Sequence, residues 1–229
     1  GRDTDGKVFA LRDLCPHRGM PLSFGNFDGR EVECCYHGWR FDTAGTCTAI
    51  PSLSEKSTLD CSRIKVRHYP CREHQGVVWL FLGEDRDDLP PVPEVPEIGD
   101  REPNLAHVVE LPCNADHGIV GLIDPAHGPY VHRSWWWRSG KNFREKAKAF
   151  APSPLGFTMV KHKPSSNSPA YRLLGGKGEV TTEIDFRLPG LRTEIVRIGD
   201  HRFCGLTAVT PITDNVSEFH HVIYWTSPR

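Results

Sequence analysis

Residues 15–39 read CPHRGMPLSFGNFDGREVECCYHGW and place three cysteines and two histidines within twenty-five positions. Their spacing divides the stretch into two short clips. Cys15-x-His17 leads into Arg18-Gly19, residues 18–33 intervene, and Cys34-x-x-His37 leads into Gly38-Trp39. Each clip carries one thiol and one imidazole a turn's length apart, with a glycine close behind. Such groups can ligate a metal, the cysteines can pair as a disulfide, or all of them can be buried.

Composition narrows the choice. The chain has 229 residues, 38% hydrophobic and 25% charged, enough for one large core or two smaller ones. A formal net charge of −1 lacks the basic surplus of a nucleic-acid binder. No apolar run is long enough to cross a bilayer, and no signal-peptide pattern or initiator Met opens the chain. The opening GRDTDGKVFALRDL already reads as strand, glycine turn and strand, so the chain is expected to begin inside a domain, as a fragment. Eight cysteines (15, 34, 35, 47, 61, 71, 113 and 204) would suggest a disulfide framework in a short secreted chain. Here the most closely spaced ones sit beside histidines and no export signal is present. That points to a reducing, cytoplasmic location and to metal rather than disulfides. Cys47, Cys61, Cys71, Cys113 and Cys204 have no such company and read as small buried hydrophobes.

From residue 7 to about 83 the text is short β segments: KVFALRD, EVECCYHGWRFD, RIKVRHYPC and GVVWLFLGE. A proline-rich stretch then lacks any apolar periodicity and reads as a linker. The expected organisation is a β domain over 1–88, a linker over 89–104 and a second domain over 105–229. LAHVVELPCNADHGIVGLIDPAHGPYVH opens the second domain with helical spacing, and strands follow. The clearest is VTTEIDFRL, where Val180, Thr182, Ile184, Phe186 and Leu188 alternate with polar residues, which predicts a sheet with one buried and one solvated face.

Two thiolates and two imidazoles suit tetrahedral zinc, although zinc modules usually pair like with like at each end. A Rieske-type [2Fe–2S] cluster needs two Cys on one iron and two His on the other. Through C-P-H-R-G and C-C-Y-H-G-W the chain resembles Rieske proteins, and GVVWLFLGE resembles the strand that closes their cluster domain. The resemblance implies Cys15, His17, Cys34 and His37 as cluster ligands. Respiratory-chain members add one cysteine per loop as a bracing disulfide. Met20 and Tyr36 occupy those positions here, so the loops resemble those of ring-hydroxylating oxygenases. Cys35 stands where the family commonly has proline and is expected to be a bystander, with Trp39 covering the cluster.

Further on, LIDPAHGPYVHRSWWWR contains Asp124, His127 and His132. Asp124-Pro125 is expected to start a helix, with Asp124 and His127 three apart on one face. Two imidazoles and a carboxylate are the facial set of non-haem Fe(II) oxygenases. Downstream of a Rieske signature the segment resembles the mononuclear iron site of Rieske oxygenase α subunits. That resemblance implies His127 and His132 as iron ligands. It also implies Asp124 as a hydrogen-bonded bridge from His37 of one subunit to His127 of its neighbour in a homotrimer. Many members have Asn where this chain has Gly121, leaving Asn114 or Asp116 as substitutes. The family's carboxylate ligand comes from a helix after the last strands and is expected beyond Arg229. Trp135, Trp136 and Trp137 read either as core or as an apolar substrate wall.

The expected fold is α+β, an all-β Rieske domain followed by a helix-grip antiparallel-sheet catalytic domain. The resemblance implies an oxygenase: electrons from NAD(P)H pass through a reductase or ferredoxin and the [2Fe–2S] cluster to a mononuclear Fe(II). There O₂ hydroxylates, demethylates or desaturates a small hydrophobic or aromatic substrate. The alternatives are an electron-transfer protein with a non-catalytic binding domain, and a zinc-stabilised binding protein.

Overall fold

Short extended runs broken by glycine, aspartate and proline fold as hairpins rather than long strands. The computed structural model describes residues 1–84, 86–124, 127, 131, 147–163 and 179–226, in two units, Gly1–Glu94 and Val95–Arg229. In the first unit β1 (Asn26–Phe27), β2 (Glu31–Glu33), β3 (Arg40–Asp42) and β4 (Cys47–Ala49) pair antiparallel in chain order. A second hairpin joins β5 (Cys71–His74) to β6 (Val77–Leu80). Its Gln75-Gly76 turn has φ of 52° and 69°, the double left-handed conformation that suits a two-residue hairpin. EVECCYHGWRFD is therefore not one strand but β2, a loop and β3. KVFALRD forms only single bridges, Val8 to Arg2 and Leu11 to His68.

Strands this short do not hold themselves together. Their stability comes from one core in which Phe41, Leu22, Ile50 and Val66 pack with Cys15, Cys34 and Cys47. Gly45 closes the turn before β4 at φ 83°, and a Cβ there would lie 2.2 Å from the Val66 carbonyl oxygen. Only glycine fits that approach.

In the second unit β7 (Leu105–Leu111) leads to α1 (Ala115–Ile123), and then β8 (Phe150–Ser153), β9 (Gly156–His162), β10 (Val180–Arg187), β11 (Leu191–Ile198), β12 (His201–Thr213) and β13 (Val216–Trp225) follow. One antiparallel sheet results, in the order β7-β13-β12-β11-β10-β9-β8. The helix packs on one face of it. A Cβ on Gly118 would meet Phe219 Cζ at 2.5 Å and Val209 Cγ1 at 3.6 Å, and one on Gly190 would meet Ile119 at 3.2 Å, so glycines set how closely helix and sheet approach.

Two expectations change here. The polar side of β10 is only partly open to water: Asp185 accepts hydrogen bonds from Ser153 (2.9 Å) and Thr158 (2.6 Å), and Glu183 pairs with Arg197 at 2.9 Å. Nor are residues 95–104 an unattached linker. Val95 is buried, Glu97 pairs with Arg197 and Arg202, and the Asn104 N–H donates to the Ile223 carbonyl at 2.9 Å. Proline-rich text lacks periodicity, but here it still carries the side chains that pin it to the sheet.

Candidate metal centres

The two clips of the first unit are one construction used twice. The Cys15 N–H donates to the Met20 carbonyl at 2.8 Å, and the Gly19 N–H returns to the Cys15 carbonyl at 2.8 Å. The Cys34 N–H donates to the Trp39 carbonyl at 2.9 Å, and the Gly38 N–H returns to the Cys34 carbonyl at 2.9 Å. The closing glycines have φ of 72° and 70°, a left-handed turn that side chains disfavour. Each loop is stapled at its base. Asp13 accepts from the Ser23 N–H and hydroxyl, both at 2.7 Å, and these bonds hold its carboxyl below the usual range. Glu33 and Arg40, opposite each other on β2 and β3, pair at 2.8 Å.

Within these frames the thiols point inward and the rings outward. Cys15 and Cys34 are both 2% exposed and belong to one buried cluster. Burial pushes the Cys15 thiol up, opposed by the backbone N–H groups of His17 and Arg18, which favour thiolate. The His17 and His37 rings lie 4.7 Å apart. Desolvation, with His37 and Arg18 nearby, holds the His17 imidazole below its ordinary range, in the neutral form that ligates metals. His17 stacks on Trp39 at 4.5 Å and 4°, and Tyr36 borders His37 at 3.9 Å. Cys35 is exposed.

Among the described residues no three His, Cys, Asp or Glu side chains converge on a single ion. They converge in pairs, thiol with thiol and imidazole with imidazole. That arrangement suits two adjacent irons with different ligand types and does not suit one tetrahedral zinc. The donor set fits a [2Fe–2S] group.

In the second unit Asn114, not Asp124, starts the helix: its side chain accepts from the Asp116 N–H at 2.8 Å. Asp124 is instead the C-cap, with ψ of 110°. The residue before a proline is pushed out of the helical region, so Asp124 closes α1. The helix expected to open there falls mostly outside the described residues, of which Val131 is helical and donates its N–H to the His127 carbonyl at 2.8 Å. Asn114 thus lies about 15 Å away at the other end of α1, and its amide also donates to the Asp214 carbonyl at 2.9 Å. As a helix cap it is no substitute for an Asn at position 121.

His127 Nδ1 meets the Asp124 backbone carbonyl at 2.7 Å and its carboxylate at 3.7 Å. With Nδ1–H donated to the carbonyl, Nε2 keeps the lone pair a metal needs. A carboxylate at the negative end of a helix is electrostatically disfavoured, so the placement is not explained by helix stability. His132 and Trp135–Trp137 lie outside the described residues. Beside Asp124 lies an open surface depression of about 570 Å³ lined by Val120, Ile123, Phe150 and Phe157. Phe157 also packs on Phe186 at 5.0 Å. Its size and apolar walls are those of a small-molecule site.

Residues 1–70 match the Rieske [2Fe-2S] domain family. Those residues therefore form a Rieske domain. It is 33% identical over 138 residues to chlorophyllide a oxygenase of Arabidopsis thaliana, covering 58% of this chain and 24% of that protein. It is 35% identical over 135 residues to 4beta-methylsterol monooxygenase of Methylococcus capsulatus, covering 58% and 36%. The chain therefore spans between a quarter and about a third of these relatives. Dicamba monooxygenase bound to dicamba superposes with a TM-score of 0.74 at 21% identity, over 97% of this chain and 68% of that one. NdmA of Pseudomonas putida CBB5 with caffeine superposes at 0.71 and 18%, over 95% and 62%. These place the sheet-rich second unit in the same fold class as theirs, α+β. No helix among the described residues is long and apolar enough to cross a membrane.

One grouping escaped the sequence reading. Cys47, taken as a solitary buried thiol, has Cys61 beside it, and burial together with Cys61 pushes the Cys47 thiol up to about 11. Thirteen intervening residues and no motif announce the pair; only the fold does.

Proposed function

We propose that the chain is the oxygenase component of a Rieske-type system. Cys15, His17, Cys34 and His37 hold the [2Fe–2S] cluster, and His127 and His132 hold a mononuclear iron beside the apolar depression. When bound, the two groups supply single electrons and O₂ activation for hydroxylation, demethylation or desaturation of a small hydrophobic or aromatic substrate. The observation that carries this reading is the turn at the end of α1. It holds His127 Nδ1 on the carbonyl of Asp124, a residue that itself lines the apolar depression, in a chain that also carries the paired thiols and imidazoles.

The residues' own tasks follow. The Asp124 carbonyl orients His127, and the Asp124 carboxylate, 45% exposed, would be the group that meets a second imidazole. Phe150, Phe157, Val120 and Ile123 offer apolar surface to a hydrophobic substrate. In a homotrimer Asp124 of one subunit would meet His37 of the next. Electrons would come from NAD(P)H through a flavin reductase or ferredoxin, in a reducing compartment such as the cytoplasm.

The test uses the full-length protein with an NAD(P)H-driven reductase, air and a panel of aromatics and sterols. We expect iron beyond the two atoms of the cluster, and an oxidised product from at least one compound. Iron confined to the cluster, with no product from any compound, would make the chain an electron-transfer protein.

A further inference from the structure

Beneath the cluster loops, β4 and the 3-10 turn Cys61–Arg63 are tied together through their backbones. The Cys47 N–H donates to the Ile64 carbonyl at 2.9 Å, and the Ile64 N–H donates to the Cys61 carbonyl at 2.9 Å. Thr46 and Lys65 form a bridge alongside. These bonds draw the Cys61 turn onto the strand of Cys47, and Cys61 packs against the buried core that contains Cys47. A disulfide needs its two Cα atoms within about 7 Å, a spacing that segments tied this closely through their backbones can reach. Access is unequal. Cys47 is 1% exposed, in the core that also holds Cys15 and Cys34, whereas Cys61 is only partly buried and follows the largely exposed segment 51–60.

We infer that Cys47 and Cys61 are a reversible disulfide site, closed by exchange with a small-molecule disulfide that enters at Cys61. The Cys61 thiolate attacks one sulfur of that disulfide, forming a mixed disulfide and expelling the first thiolate. Cys47 then gives up its proton to solvent and attacks Cys61 Sγ, expelling the second thiolate, which takes up a proton. Two protein thiols are oxidised to one disulfide, and the small disulfide is reduced to two thiols. With Cys15 and Cys34 held by the cluster, Cys61 is the cysteine packed against this core that remains able to exchange. The cross-link ties β4 to the 3-10 turn and closes the loop between them.

Trypsin cleavage at Lys56 separates the two positions, giving peptides 41–56 and 57–63. The cluster-loaded protein is treated with oxidised glutathione, alkylated, digested without reductant and analysed by mass spectrometry. We expect the two peptides joined, two hydrogens lighter than their sum and separated by dithiothreitol. Two free thiols per chain are lost, and the visible spectrum of the cluster is unchanged. Cys61→Ser abolishes the cross-link. Cys47→Ser leaves a stable glutathione adduct on Cys61 that the unmodified protein does not accumulate. Cys61 recovered only as the adduct in the unmodified protein, or joined to Cys15 or Cys34, or unreacted, overturns the inference.

Discussion

The imidazole of His17 lies flat on the indole of Trp39, 4.5 Å between centroids and 4° between planes. The contact joins the two loops, because His17 belongs to the first and Trp39 closes the second. Trp39 also packs against the core beneath. Aromatic pairs of this kind contribute about 0.5–1.5 kcal/mol beyond area burial. Trp39→Leu should therefore speed loss of the visible cluster spectrum roughly two- to tenfold, while Trp39→Phe should fall between the two. An unchanged rate in Trp39→Leu would show that the ring merely fills space.

The adjacent cysteines 34 and 35 should behave oppositely. Cys34 is 2% exposed and shares a buried cluster with Cys15, while Cys35 is exposed. Cys35→Ala should retain the Rieske electron-spin signal, whereas alanine at Cys15, His17, Cys34 or His37 should abolish it. The reverse result at 34 and 35 would exchange their assignments.

Asp124→Asn preserves shape and the backbone carbonyl that orients His127, but removes the charge. Both metals should remain by elemental analysis and spectroscopy, with product formation lowered roughly ten- to a hundredfold or more, as for other groups that orient ligands. Selective loss of the mononuclear iron would instead make Asp124 a ligand.

His221 supplies a pH dependence of folding. Desolvation, with His107, Arg192 and His220 nearby, holds its imidazole below the ordinary 6.5, and its Nδ1 meets the Thr207 hydroxyl at 3.0 Å. The unfolded chain then takes up the proton first as pH falls. The stabilisation is fully present above about 6.5 and is lost as pH drops from there through the depressed value. The difference in urea midpoint between wild type and His221→Gln should shrink across that window. A difference independent of pH would remove His221 as its source.

Metal chemistry made the clips legible, since few residue types can ligate iron and their spacing survives folding unchanged. The alternation around Thr182, Ile184 and Phe186 likewise announced β10. What stayed hidden depended on distant partners. Asp124-Pro125 is ambiguous between a helix start and a helix stop until Asn114 is seen capping ten residues earlier. The solvation of Glu183 and Asp185 could not be read without Arg197, Ser153 and Thr158. Cys47 and Cys61 share no local pattern at all, and the backbone bonds through Ile64 are what unite them.

The twin loops differ in one respect, the histidine standing two residues after the first cysteine and three after the second. Identical frames with offset rings turn the site into a terminal with polarity. Its sulfur side is sealed in the core, and its nitrogen side is a pair of surface rings, one pressed against Trp39 and one bordered by Tyr36. If the cluster is held as proposed, a redox partner would reach it through the imidazole edges and not through the buried sulfurs.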